Sequence, residues 1–356
     1  MRDYGTAGQL GLEKTPEEYL EKMVAVFWEV RRVLRKDGTL WLNMGDSYMA
    51  NCSNQNPQTK EHKGAGFCGP NRKAQTGLKP KDLCGMPWRL ALALQADGWW
   101  LRSDIIWEKG NPMPQSVTDR PSTSHEYIFL LTKSARYYFD ADAIREEVSG
   151  TANRRGKKDG TPPSMDFKMQ EPGQGNRNNS SFQSYMKDLP PEAGRNCRSV
   201  WHINSAPFPS AHFGTFSPAL PERCIKAGTS ERGCCPSCFS PYRRVVEKSG
   251  GTTGKDWNRH TRGENDLKIG ATKNEKTYDG TYRVESIGWA PTCACNAGEP
   301  IPCTVLDPFA GASTTLLVAA KLGRDAVGLE LSPEYCTMSL KRLRGELGML
   351  ATVEIK

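Results

Sequence analysis

One stretch near the carboxyl end constrains this chain more than any other. Val305-Leu306-Asp307 is a short apolar run that ends in an acid, and Pro308-Phe309-Ala310-Gly311-Ala312-Ser313 is a tight loop of mostly small residues. Thr314 and Thr315 then open a helical pattern that reaches about Leu322, and Ala326–Leu331 reads as a second strand. Glu330 lies 23 residues beyond Asp307. A strand, a small-residue loop and a helix start together form a nucleotide-cofactor site. The small side chains let backbone N–H groups approach a ligand, and an acid after the next strand can accept hydrogen bonds from ribose hydroxyls. A dinucleotide unit and an adenosylmethionine unit both fit this pattern. The absence of G-x-G-x-x-G weighs against the first, and a βαβ turn that merely builds a sheet is the plain alternative.

The rest of the chain supports an open α/β sheet. Thr15 can cap a helix with Pro16 at its first position and Glu18 three residues after the cap. Leu20, Met23, Phe27, Val30 and Leu34 recur at helical spacing until Asp37-Gly38 stops the run. Thr39–Asn43 is a buried-strand pattern, Pro87–Ala96 a helix, and Trp99–Glu108 and Glu126–Thr132 further strands. Ser217 and Pro218 open another capped helix that Gly228 ends. Helix and strand alternate, which argues for a sheet flanked by helices. Two stretches break the rhythm. Asp140–Arg198 has few apolar residues, with ten basic against nine acidic ones, and about Gly233–Pro300 is irregular as well. The first reads as a DNA-reading insertion or a plain surface loop. Ala50–Lys81, polar and rich in Gly, Asn, Gln and Lys, reads as a loop.

Composition excludes little. The net charge of +8 permits a polyanionic partner without demanding one. No apolar run approaches the roughly 20 residues of a membrane span, and Met1–Gly11 is not a secretory signal, so a cytoplasmic protein without membrane contact is expected. Twelve cysteines in such a chain stay mostly reduced, so clustered ones suggest a metal. Cys235-Pro236-Ser237-Cys238 and Cys293-Ala294-Cys295, with 54 residues between the pairs, supply four thiolates suited to tetrahedral zinc. Cys234 or His260 could replace one ligand, and unligated thiols are the alternative. A closed site of this kind would fold the insertion and perform no catalysis.

The motifs also resemble a known family. Asp307–Thr315 looks like the D-P-F-x-G-x-G-T-T loop of DNA amino-methyltransferases, with Ser313 where the commonest form has its second glycine. Glu330 falls on the family's ribose-binding acid. His212-Phe213-Gly214-Thr215-Phe216-Ser217-Pro218, with Leu220 and Arg223, resembles the segment that helps to enclose the cofactor, Ser217 replacing a frequent proline. Arg2-Asp3-Tyr4-Gly5 with Gln9-Leu10-Gly11-Leu12-Glu13 looks like the stretch just downstream of the catalytic S-P-P-Y or D-P-P-Y motif. Leu42–Tyr48, Trp107–Pro114 and His125–Phe129 resemble later family segments. Their order, target-base half before cofactor half, is the permuted order of the β class.

The resemblance implies a circularly permuted, Rossmann-like methyltransferase sheet with two irregular insertions. Residues 1–139 would form the target-base half, 140–200 a target-recognition insertion, 201–232 and 301–356 the cofactor half, and 233–300 a zinc-binding insertion. It implies S-adenosylmethionine held by Thr215, Phe216, Ser217, Asp307, Pro308, Phe309, Ala310, Gly311, Ser313, Thr314, Glu330 and Leu331. It implies methyl transfer to adenine or cytosine amino groups in duplex DNA, in a restriction-modification setting, by a monomer or a homodimer. The catalytic motif itself is not among these residues. Asp3, Tyr4, Asn43, Asp46, Ser47 and Tyr48 are the candidates to line the base pocket, each of the strand-end residues having an ordinary turn as its alternative. From this we expect either a natural start roughly 20 or more residues earlier, or a relic that binds DNA or cofactor without catalysis. A Rossmann-type enzyme of another substrate class is the third reading.

Overall fold

The computed structural model of the chain describes residues 6–49, 77–146, 195–206, 216–249, 283–348 and 352–355. Helix α1 (Pro16–Val33) begins as its sequence predicts. Thr15 is extended and its hydroxyl accepts the Glu18 N–H at 3.2 Å, while Pro16 takes a position that needs no donor. Tyr19, Met23, Phe27 and Val30 form its buried stripe. Strand β1 (Thr39–Met44), helix α2 (Met86–Ala96), and strands β2 (Trp100–Glu108) and β3 (His125–Thr132) follow.

Strand β3 is paired on both sides. β1 runs antiparallel to it from Thr39 opposite Thr132 to Met44 opposite Tyr127, and β2 runs antiparallel from Trp100 opposite Thr132 to Glu108 opposite His125. The β2 register slips between Leu101 and Ser103. Strand β4 (Val200–His202) extends this sheet, parallel to β2, with Val200 opposite Ile106. One face of the sheet carries the main core: the α1 stripe, Met86, Leu90, Ala91 and Leu94 of α2, and Leu42, Trp99, Phe129 and Leu131. Burial of each large apolar side chain among these stabilises the fold by about 1.5–3 kcal/mol.

Helix α3 (Ala219–Gly228) precedes the two-stranded sheet of β5 (Arg243–Ser249) and β6 (Arg283–Ala290). The chain then builds the strand–helix–strand unit that the sequence predicts. β7 (Thr304–Asp307) lies parallel to β8 (Asp325–Gly328), joined by α4 (Thr314–Lys321) and followed by α5 (Pro333–Leu347). Ile225 of α3 packs with Val318 and Ala319 of α4 in a smaller core.

Two expectations are corrected. Ser217 does not cap α3 with its side chain. Pro218 occupies the cap position in helical backbone (φ −53°, ψ −29°) with no side-chain cap bond, and Ser217 contributes its backbone carbonyl to Leu220 N at 3.0 Å. The second strand of the cofactor unit ends at Gly328 and not at Leu331, because its partner β7 ends at Asp307, opposite Gly328, where the chain turns into the loop.

The chain forms two compact units. The first is 1–143, 198–243 and 291–356; the second is 144–197 and 244–290. The stretches expected as insertions thus lend their inner parts to the second unit, while 233–243 and 291–300 belong with the first. No helix among the described residues is long and apolar enough to cross a membrane.

Candidate cofactor and target-base site

β7 ends at Asp307, whose Oδ1 accepts the Phe309 N–H at 3.0 Å and so folds the chain into the loop. Two backbone bonds tie this loop to the end of β8: Leu329 N to Asp307 O and Ala310 N to Leu329 O, each 2.9 Å. Gly311 (φ +49°) and Ser313 (φ +57°) both sit in left-handed backbone, and α4 starts directly after Ser313. That conformation explains why glycine is the common residue at the second position: a Cβ there is strained. Glu330 crosses to the loop, and its Oε2 accepts the Gly311 N–H at 2.8 Å. Phe309, Leu329 and Leu331 remain 48%, 56% and 56% exposed around these polar groups. Ala310, Ser313 and Thr314 are buried beneath.

Helix α5 holds the loop from behind, a role the sequence did not single out. Ser339 Oγ donates to Gly311 O at 2.6 Å, and Arg342 Nη1 donates to Ala312 O at 2.8 Å and lies 2.9 Å from Thr314 Oγ1. Ser339 and Arg342 are three residues apart on one helix face, which was the available signal. Gly328 closes the other side. A Cβ there would lie 2.7 Å from Leu316 Cδ2 and 2.9 Å from Ala310 Cβ, so the strand end packs directly on the loop and α4.

The target-base candidates gather where β1 ends. Asn43 donates its side-chain amide to Glu126 Oε2 (3.2 Å) and Tyr127 O (3.1 Å), and Glu126 is ion-paired with Lys109. Asp46 Oδ1 accepts Ser47 N at 2.8 Å and Met86 N at 3.1 Å, and so completes the first turn of α2. Ser47 O accepts Cys84 N at 2.8 Å, while the Tyr48 ring lies 3.8 Å beneath the Arg120 guanidinium. Asn111, quoted above only as part of a family segment, exchanges two hydrogen bonds with the Ser205 backbone (2.8 and 3.2 Å). Phe216 and Ser217 stand at the entry to α3. Asp3, Tyr4, Thr215, His212 to Gly214 and His260 lie outside the described residues, as does most of the 50–81 loop.

A separate cluster forms from the stretch between α3 and β5 and the stretch just after β6. The Sγ atoms of Cys235, Cys238, Cys293 and Cys295 all lie within 4.8 Å of one another. Cys234 is not in this set; it is buried, which pushes its thiol up to about 12, and its neighbour is Cys303. The Ser240 hydroxyl, 3.3 Å from Cys238 Sγ, helps to pull that thiol down to about 6.

Comparison with known proteins places this geometry in context. A family profile described as DNA methylase, the N6/N4 methyltransferases, matches residues 4–255 and 303–341. The type II methyltransferase M.XycI of Xanthomonas campestris pv. cyanopsidis is 35% identical over 347 residues, 97% of this chain and 78% of that protein. M.SmaI of Serratia marcescens is 34% identical over 96% of this chain and 80% of its own length. Among solved structures, PvuII DNA methyltransferase, titled cytosine-N4-specific, aligns over 92% of this chain and 71% of its own at TM-score 0.47 and 12% identity. A putative DNA modification methylase of Thermus thermophilus, complexed with S-adenosyl-L-methionine, aligns over 94% and 79% at TM-score 0.43 and 17% identity. The profile spans both the β1 to β4 segment and the cofactor-type loop, and identity above 30% runs along nearly the whole chain. On that ground the chain belongs to the N6/N4 DNA methylase family and is a DNA methyltransferase.

Proposed function

We propose that this chain transfers the methyl group of S-adenosylmethionine to an exocyclic amino nitrogen, adenine N6 or cytosine N4, at a specific site in duplex DNA, as a type II modification enzyme. One observation carries the cofactor assignment: the Asp307–Ser313 loop with the Glu330 carboxylate lying against the Gly311 amide at 2.8 Å. A carboxylate held there is positioned to accept from ribose hydroxyls, and the half-exposed Phe309, Leu329 and Leu331 offer flat apolar contact to an adenine ring. Asp307, Gly311 and Glu330 would touch the cofactor. Pro308, Ala310, Ser313 and Thr314 would shape the loop, and Thr215, Phe216 and Ser217 would close over it.

The cofactor supplies an electrophilic methyl on sulfur. An amino nitrogen conjugated with a base ring is a poor nucleophile, so the base must leave the stack and its amino hydrogens must meet acceptors. Transfer would form the nitrogen–carbon bond as the carbon–sulfur bond breaks, with S-adenosylhomocysteine leaving and the extra amine proton passing to solvent. Asn43, Asp46, Ser47 and Tyr48, with Asp3 and Tyr4, are the residues of this chain we place around the flipped base. Zinc is the metal we propose for Cys235, Cys238, Cys293 and Cys295. Zn–S bonds of about 2.3 Å put tetrahedral sulfurs about 3.8 Å apart, and the four sulfurs here lie within 4.8 Å of one another.

Two measurements test the proposal. Titration calorimetry should show Glu330→Ala binding S-adenosylmethionine about tenfold more weakly than the unaltered chain, since a buried hydroxyl loses its acceptor. Wild-type affinity would remove Glu330 from the site. Transfer of labelled methyl to duplex DNA should accompany binding, and binding without transfer would make the chain a relic.

A further inference from the structure

From the surroundings of the cysteine cluster we infer that a zinc ion held there is a clasp on the neck of the 244–290 excursion, with Arg35 as its counter-charge. The inference rests on the zinc reading of the four thiolates and is independent of methyl transfer.

The position of the cluster in the chain is the first support. The chain leaves the first unit at Arg243 and returns to it at Pro291. Cys238 lies five residues before the departure, and Cys293 and Cys295 two and four residues after the return. A metal joining the two pairs would therefore close a loop of 54 residues at its narrowest point.

The second support is a backbone frame that brings both pairs together before any metal is considered. Cys234 exchanges two backbone hydrogen bonds with Ile301 (2.8 and 2.9 Å). Gly233 permits this approach, because at φ +105° a Cβ would lie 2.2 Å from Ile301 O. Phe239 N donates to Cys235 O and Cys235 N to Ser240 O, at 2.8 and 2.9 Å, which forms the knuckle turn with Phe239 in left-handed backbone. Thr292 Oγ1 donates to Pro241 O at 2.7 Å and ties the second pair's strand to the first pair's turn. A soft, four-sulfur set on a prepared frame selects zinc over harder cations.

The third support is charge. Four thiolates around Zn²⁺ carry a net charge of −2, which a partly enclosed site must balance. Arg35, at the end of α1, donates from Nη1 to Cys238 O at 2.6 Å and lies 3.5 Å from Ser240 Oγ. Asp37 orients it through Nε at 2.8 Å. Arg35 thus links the metal neck to the helix whose stripe builds the main core. It is a positioning residue and not a ligand.

The test uses the full chain, with zinc and cobalt as probes. Purified without added metal, it should hold one zinc, and cobalt exchange should give the intense sulfur-to-metal absorption of a tetrahedral thiolate site. Cys295→Ser, which alters the most exposed ligand, should lose that absorption while the chain stays folded. Chelation should open new protease cuts next to residues 243 and 291 and leave S-adenosylmethionine affinity unchanged. Arg35→Met should weaken zinc about tenfold or more in chelator competition, with Arg35→Lys recovering part and the melting point of metal-free protein unmoved. A folded, reduced and metal-free chain would overturn both the zinc reading and the clasp. Bound zinc whose removal leaves the neck uncut, or whose affinity ignores Arg35→Met, would overturn the clasp alone.

Discussion

At the scale of single residues, Ser313 stands in backbone that favours glycine (φ +57°). Left-handed backbone costs an L-residue roughly 1–2 kcal/mol, partly offset by the greater freedom glycine regains on unfolding. Ser313→Gly should therefore raise stability by about 1 kcal/mol in thermal melts without weakening cofactor binding. A lower melting point would mean the serine hydroxyl makes a contact worth more than the strain. Arg342 tests the same loop from behind. Arg342→Met removes the donor that holds Ala312 O, and the KM for S-adenosylmethionine should rise about tenfold while kcat changes less. Arg342→Lys should restore part of the loss. Equal falls in kcat and kcat/KM would point instead to a role in the transfer step. The loop itself was legible from Asp307, Gly311 and Glu330 because small residues and acids at fixed spacing carry the chemistry. Ser339 and Arg342 were not, because an ordinary exposed-looking helix pattern does not say which residues turn inward.

At the scale of elements, legibility follows periodicity. α1 begins at the predicted residue because Thr15, Pro16 and Glu18 are local signals, and β1, β2 and β3 fall within a residue of their apolar runs. The misses arise where a contact distant in sequence or a backbone preference decides. Pro218 takes helical angles, so Ser217 loses the capping position. Strands β5 and β6 went unread inside a polar stretch, since Arg243–Ser249 and Arg283–Ala290 show no clear alternation. Helix α2 is capped from 40 residues away, by Asp46 Oδ1 on Met86 N, and its own cap position is Gly85. Asp46→Ala should cost about 1 kcal/mol, as a lost cap does, whereas Asp46→Asn keeps an acceptor oxygen and should keep the melting point. The same Asn variant separates fold from chemistry. Wild-type transfer would confine Asp46 to the cap, and slower transfer at an unchanged melting point would place it on the base.

For the whole molecule, the pairing order sets what is rigid. Among the described residues the four-stranded sheet ends on β1 and the parallel pair ends on β7. An edge strand has one row of backbone N–H groups in its ladder and the other row facing outward, so protection from exchange should alternate along it. β3 is paired on both sides, and Ile128, Phe129 and Leu131 are fully buried at 0% exposure. Its amides should be the slowest in the chain and should exchange only with global unfolding. In β1, where Leu42 is buried and its neighbours are half-buried, alternate amides should exchange orders of magnitude faster than their partners. β7, with a single partner strand and exposed Leu306, should behave in the same way. Native-state hydrogen exchange read by NMR decides the matter. Uniformly slow amides along both β1 and β7 would contradict open edges and require a further strand paired to each. That result would also bring the two sheets under one cooperative unit, with β1 and β7 losing protection at the same denaturant concentration as β3.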